Sequence, residues 1–96
     1  MNYRLTPQAL QDLTDIADFL IQEYPHLAPT VELELRRIFD LVTEFPGIGR
    51  IGPRPSTREL PLQKYPYVVI YRNMSDRTDI LRVYHMARDP KRKLGE

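Results

Sequence analysis

The side chains in this chain that could do chemistry cluster in its second half. His85 ends an apolar run and could act as a general base, because imidazole titrates near neutral pH. Arg72 and Arg82 each lie inside a run of β-forming residues, where a guanidinium could hold an acidic partner. Tyr65, Tyr67 and Tyr84 could stack on nucleobases. Lys91-Arg92-Lys93 could touch nucleic acid or an acidic protein patch. Each has a plainer role. A histidine at the core end of a strand is more often hydrogen-bonded structure. Sheet arginines commonly pair across strands, here with Glu59 or Asp79. Tyrosines commonly pack half-buried with a wet hydroxyl, and a short terminal run of charges is commonly solvated. His26, beside Pro25, reads as exposed and incidental. Asp12, Asp15 and Asp18 read as one solvated helix face.

Charge favours binding for the arginines taken together. Residues 1–49 carry three Arg/Lys against eight Asp/Glu, a net of −5, and residues 50–96 carry eleven against five, a net of +6. The formal charge of +1 hides this contrast. A basic half of this kind suits an acidic partner. Zero cysteines exclude disulfides, thiolate metal sites and a cysteine nucleophile. Two scattered histidines make no zinc site, so no metal or cofactor is expected. No apolar run approaches the ~20 residues of a membrane helix, and no secretory signal opens the chain. A cytoplasmic protein with no membrane partner is the expectation.

The elements that must position these residues follow from periodicity. The chain is short enough for one domain, 1–96, with 88–96 as a basic tail. Tyr3 and Leu5 alternate in a first strand. Thr6 can cap a helix whose first position suits Pro7. Leu10, Leu13, Ala17, Leu20, Ile21 and Tyr24 recur at helical spacing until Pro25. A second helix starts near Pro29, with Val31, Leu35, Ile38, Val42 and Phe45 as its stripe, and Pro46-Gly47 stops it. The short connection makes a helical hairpin. Gly47, Gly49, Gly52, Pro53 and Pro55 mark a loop over 48–57, with Arg50 and Arg54 exposed in it. Strands follow at about 57–63, 67–73 and 79–86, joined antiparallel by turns at 64–66 and 74–78. Pro61 argues for an edge or a bulge. The fold class is α+β, ordered β-α-α-β-β-β, an antiparallel sheet covered on one face by the hairpin.

Strict alternation assigns the faces. Val69, Tyr71, Leu81 and Val83 go to the core, and His85 falls at its end. Val68, Ile70, Arg72, Ile80, Arg82 and Tyr84 go to the open side. The predicted core is Leu13, Ala17, Leu20, Leu35, Ile38, Val42, Val69, Tyr71, Leu81 and Val83. Arg58 and Glu59 face opposite sides, and one of them should form a salt bridge.

The string Arg58-Glu59-Leu60, Tyr65-Pro66-Tyr67-Val68-Val69-Ile70-Tyr71-Arg72 and Ile80-Leu81-Arg82-Val83-Tyr84-His85-Met86-Ala87-Arg88 resembles the RelE/ParE superfamily of bacterial type II toxins. The preceding strand, the Ala/Leu/Asp-rich helix and the helix ending in Pro-Gly before Gly49-Arg50 fit the same pattern. The resemblance spans roughly residues 3–89 and rests on the order and spacing of these strings together. It implies a small antitoxin as partner, with operator DNA reached only through the antitoxin complex. RelE-like members cleave messenger RNA on the ribosome; ParE-like members poison DNA gyrase.

The sequence departs from the ribonuclease pattern at Val68, where ribonucleases tend to carry an arginine before the aliphatic-aliphatic-Tyr run. The resemblance is therefore closer to ParE. A gyrase-binding toxin without catalysis would use Arg58, Arg72, Arg82, Arg88, Lys91 and Arg92. The alternative, an endoribonuclease, would draw its base, phosphate cation and acid from Arg72, Arg82, Tyr84, His85 and Arg88. A third reading is a chain that has lost toxicity and persists as an antitoxin-bound module. Exposed Val68, Ile70 and Ile80 would be the apolar surface that an antitoxin covers.

Overall fold

A computed structural model describes residues 2–87. The elements are β1 (Tyr3–Leu5), α1 (Pro7–Glu23), a 3-10 turn (Pro25–Leu27), α2 (Ala28–Glu44), β2 (Arg50–Ile51), β3 (Arg58–Pro61), β4 (Tyr67–Asn73) and β5 (Thr78–His85). The α+β arrangement and the helical hairpin agree with the sequence reading. The loop expected over 48–57 contains the two-residue strand β2, which pairs antiparallel with β3. Sheet order is β1-β5-β4-β3-β2. β1 runs parallel to β5, and the other neighbours are antiparallel. Pro61 pairs with Val68 on one side. β2 reaches only Arg58 and Glu59 on the other side, so no ladder needs the missing Pro61 N–H.

Thr6 caps α1. Its hydroxyl accepts from the Ala9 N–H at 3.1 Å and donates to the Leu81 carbonyl at 2.9 Å, so one side chain both starts the helix and ties it to the sheet. α1 buries Ala9, Ile16 and Leu20. The expected stripe was rotated: Leu10, Ile21 and Tyr24 are exposed, Ala17 is exposed, and Leu13 is only partly buried. α2 buries Val31, Leu35, Ile38 and Val42 as expected, and Phe39 besides, while Phe45 lies exposed at the C-cap.

The core forms between this hairpin and Tyr67, Val69, Tyr71, Ile80 and Val83. Ile80 rather than Leu81 belongs to it, and the cause is a β-bulge. Ile70 pairs with Arg82 and Tyr71 with Ile80, leaving Leu81 unopposed. The extra residue reverses side-chain parity along β5, so Ile80 and Val83 share a face that strict alternation would deny them. Leu81 packs instead on the opposite face, with Val68, Ile70 and Tyr84. Val68 and Ile70, like Ile80, are buried, not exposed as expected. Among the described residues no helix is long and apolar enough to cross a membrane.

Candidate functional site: an arginine-bearing sheet face

The face of the sheet away from the hairpin has an apolar floor and a charged surround. Val68, Ile70 and Tyr84 form the floor. Pairing sets the row Arg50, Glu59, Ile70, Arg82 across β2 to β5. In the next row Arg72 lies opposite Asp79, which lies opposite Arg4.

Arg82 is gripped from outside the sheet. Its Nε and Nη2 donate to the two Asp12 carboxylate oxygens at 2.8 and 3.0 Å. The Val83 N–H also donates to Asp12, at 2.9 Å. Asp12 therefore does not belong to a solvated helix face. It caps the β5 edge beyond the reach of β1 and orients the Arg82 guanidinium, which lies 4.6 Å from the Tyr84 ring centroid. Arg50 donates through Nε to Glu59 at 2.7 Å. Asp79 accepts from Arg77 at 2.8 Å and Arg4 at 3.3 Å; the Arg77 hydrogen bond to Asp79 holds that guanidinium's pKa above its usual value. Glu59 thus makes the salt bridge expected of the Arg58-Glu59 pair.

These ion pairs share an orientation. The carboxylates lie low, with side chains 13% (Asp12), 11% (Glu59) and 9% (Asp79) exposed. Their arginines stand out, with Arg4 59% and Arg50 57% exposed and Arg82 at 37%. A buried anion beneath an outward guanidinium leaves the solvent side of the pair positive.

Arg72 has no carboxylate partner among the described residues, because Asp79 is taken by Arg77 and Arg4. Its Nη2 contacts the Pro55 carbonyl at 3.4 Å. Arg54 lies in the adjoining turn, closed by Arg54 N–H to Thr57 Oγ1 at 3.1 Å, Thr57 N–H to Arg54 O at 3.1 Å and Gly52 N–H to Thr57 O at 2.9 Å. No ion pair engages the Arg54 guanidinium among the described residues. Arg54 and Arg82 both line a cleft of about 300 Å³, together with Gln8, Thr57, Ile70, Leu81 and Tyr84.

Arg58 stands elsewhere. It pairs in register with Tyr71 on the hairpin side and donates to the Gly49 carbonyl at 2.8 Å. Nearby, the Tyr71 hydroxyl accepts from the Gly49 N–H at 2.9 Å and donates to the Pro46 carbonyl at 2.7 Å. A Cβ at Gly49 would lie 2.7 Å from that hydroxyl, so only glycine allows the approach. Burial pushes the Tyr71 phenol's pKa up, against the lowering effects of the Gly49 hydrogen bond and the Arg58 charge.

His85 also faces the hairpin side, opposite Tyr67, whose ring it meets edge-on at 5.3 Å. Its Nδ1 accepts from the Ala87 N–H at 3.1 Å. The structure therefore brings Arg72, Arg82 and Tyr84 together and separates His85 and Arg58 from them. Arg88, Lys91 and Arg92 lie outside the described residues. Sequence reasoning missed Asp12 and treated Arg50 and Arg54 as loop charge only. The one signal for Asp12 was an acidic side chain two turns into a helix, which does not reveal a sheet edge. Among the described residues no group of three or more acidic, histidine or cysteine side chains could hold a metal ion.

A second feature lies on the hairpin. An apolar groove of about 830 Å³ runs between α1, α2 and β1, with Leu10, Leu13, Ile21 and Leu33 in its walls. Leu33 is 69% exposed and Ile21 60%.

A family model described as the ParE toxin of the type II toxin–antitoxin system parDE matches residues 3–90. The chain is similar to "Putative toxin Y4kP" of Sinorhizobium fredii, 37% identical over 82 residues, covering 85% of this chain and 84% of that protein. It is similar to "Toxin RelE2" of Caulobacter vibrioides, 36% identical over 83 residues, covering 86% and 92%. A solved structure titled "Chromosomal ParDE TA system from P. aeruginosa" superposes with a TM-score of 0.78 at 24% identity, covering 88% of this chain and 95% of that one. That likeness is one of fold.

Proposed function

Because this chain belongs to the ParE toxin family of type II toxin–antitoxin systems, we propose that it is a toxin that inhibits DNA gyrase by binding and cuts no RNA. The observation that carries this reading is the division of the candidate catalytic groups between the two sheet faces. Phosphodiester cleavage needs a base, a cation and an acid around one phosphate. His85 faces the hairpin, while Arg72, Arg82 and Tyr84 face away. Tyr84 is buried under Arg82, and Arg82 is tied to Asp12. Val68 is fully buried in the floor, so even that backbone position offers no route for a cation to an RNA phosphate.

The cognate antitoxin takes a different surface. Val68, Ile70 and Ile80 are buried and give it nothing to cover. The hairpin groove, with its exposed leucines and isoleucine, suits an amphipathic helix from a partner.

Purified toxin and gyrase are assayed for supercoiling and for trapped DNA cleavage, in parallel with messenger RNA incubated with and without ribosomes. The expected result is lost supercoiling, accumulated cleavage complexes and intact transcripts, all reversed by antitoxin. Transcripts cut by the parent and spared by His85→Ala would favour the ribonuclease reading suggested by the name of the Caulobacter relative.

A further inference from the structure

We propose that the sheet face away from the hairpin is a binding site for the phosphodiester backbone of DNA, built from Arg50, Arg54, Arg72 and Arg82. The proposal deepens the gyrase reading, naming the DNA held by the enzyme as what this face meets, but its binding test needs no gyrase.

Four observations carry it. Each carboxylate paired with an arginine of this face is nearly buried, Glu59 and Asp79 within the sheet and Asp12 from the edge of α1, so the exposed layer is cationic. Arg54 and Arg72 keep guanidinium donors that no carboxylate among the described residues occupies. A guanidinium offers five N–H donors in a planar fork that matches phosphate oxygens. The Arg54 backbone is fixed in a turn closed by hydrogen bonds with Thr57, and the Arg82 guanidinium is oriented by two bonds to Asp12, so little freedom is lost at Arg82 when it meets a ligand.

Spacing favours a polyanion over a single anion. Arg72 lies one strand and two residues from Arg82, and two strands and two residues from Arg50. Strands about 4.8 Å apart with a rise of about 3.3 Å per residue place these positions roughly 8 and 12 Å apart. A chain of phosphates can engage several such positions at once, and Arg54 and Arg82 both line the same cleft. Contacts made to phosphate oxygens carry no sequence information, so binding through these arginines is independent of sequence.

The test measures fluorescence anisotropy of a labelled 20-base-pair duplex of mixed sequence with the full chain, from 50 to 200 mM KCl. Three to four phosphate contacts predict roughly a 40- to 150-fold loss of affinity over that range. Arg54→Gln with Arg72→Gln should lower the salt slope by about 2 without shifting the melting temperature. Arg72→Lys alone should keep most of the binding. An unchanged slope in the double variant overturns the proposal, as does poly-glutamate competing as well as unlabelled duplex of equal charge, which would mark an acidic protein as the ligand. The same preparations, assayed with gyrase, separate the two readings. Inhibition without arginine-dependent DNA binding sinks this site and leaves the gyrase reading standing. Arginine-dependent DNA binding without inhibition does the reverse.

Discussion

On the hairpin side of β4 and β5, Val69, Tyr71, Ile80 and Val83 meet the apolar stripes of α1 and α2 in one continuous core. On the other side Val68, Ile70 and Tyr84 make a small apolar floor, surrounded by Arg50, Arg72 and Arg82 with low-lying carboxylates. The same two strands build both faces. The difference shows how a small domain can concentrate its stability in one layer and display charge on the other. The arginines cost little there because each buried carboxylate is already paired, which avoids the penalty of an isolated buried charge.

The bulge at Leu81 gives this comparison its sharpest test. Ile80→Ala empties a fully buried site and should cost roughly 2–5 kcal/mol. Leu81→Ala, at a partly buried position on the floor, should cost about 1 kcal/mol. A larger loss from Leu81→Ala than from Ile80→Ala in chemical denaturation would mean that β5 keeps strict alternation and that the faces are the other way round.

Asp12 links the faces, because it lies on a hairpin helix and serves an arginine of the opposite side. Asp12→Ala removes two hydrogen bonds to Arg82 and leaves the Val83 N–H without its acceptor. The expected loss is about 2–3 kcal/mol, and Asp12→Asn should recover part of it. A melting temperature unmoved by Asp12→Ala would show that the sheet edge does not need this cap.

The Tyr71 hydroxyl is the polar exception in the hairpin-side layer. Tyr71→Phe leaves the Gly49 N–H and the Pro46 carbonyl unsatisfied and should cost about 1–2 kcal/mol. Burial favours the neutral phenol, so the folded pKa is raised above the ordinary 10.0. The stability from this group is complete below that ordinary value and is lost as pH rises from it through the raised folded value. Urea titrations from pH 9 to 11 should show an alkaline decline that is shallower in Tyr71→Phe. A decline identical in the two proteins would assign it to other groups.

At the smallest end for stability, Arg72→Gln and Arg54→Gln should each shift unfolding by no more than about 0.5 kcal/mol, yet together reduce gyrase inhibition. Loss of stability without loss of inhibition would reverse the roles given to the two faces.

The helical hairpin and the antiparallel strands were legible because 3.6- and 2-residue periods, prolines and a capping threonine are local signals. Thr6, Pro7, Pro25 and the stripe Val31-Leu35-Ile38-Val42 each act through neighbours in the chain. On α1 the buried stripe, Ala9, Ile16 and Leu20, is rotated from the one its apolar periodicity predicts. Leu10 and Ile21 are apolar yet exposed, because they wall a groove that the other described residues do not fill. That Arg72 and Arg82 share the sheet face away from the hairpin was legible from strand alternation.

By itself the amino-acid sequence determined the class of fold, the family and the gathering of basic residues on the sheet half, since these depend on residue type and order. Only the tertiary structure decided which arginines lie together on one face. One bulge reversed the parity of β5, one register set Arg50 and Arg82 in a row across β2 to β5, and Asp12 came within 2.8 Å of Arg82 from 70 residues away. These depend on how strands and helix pack, and backbone pairing between distant segments leaves no mark in the local order of side chains.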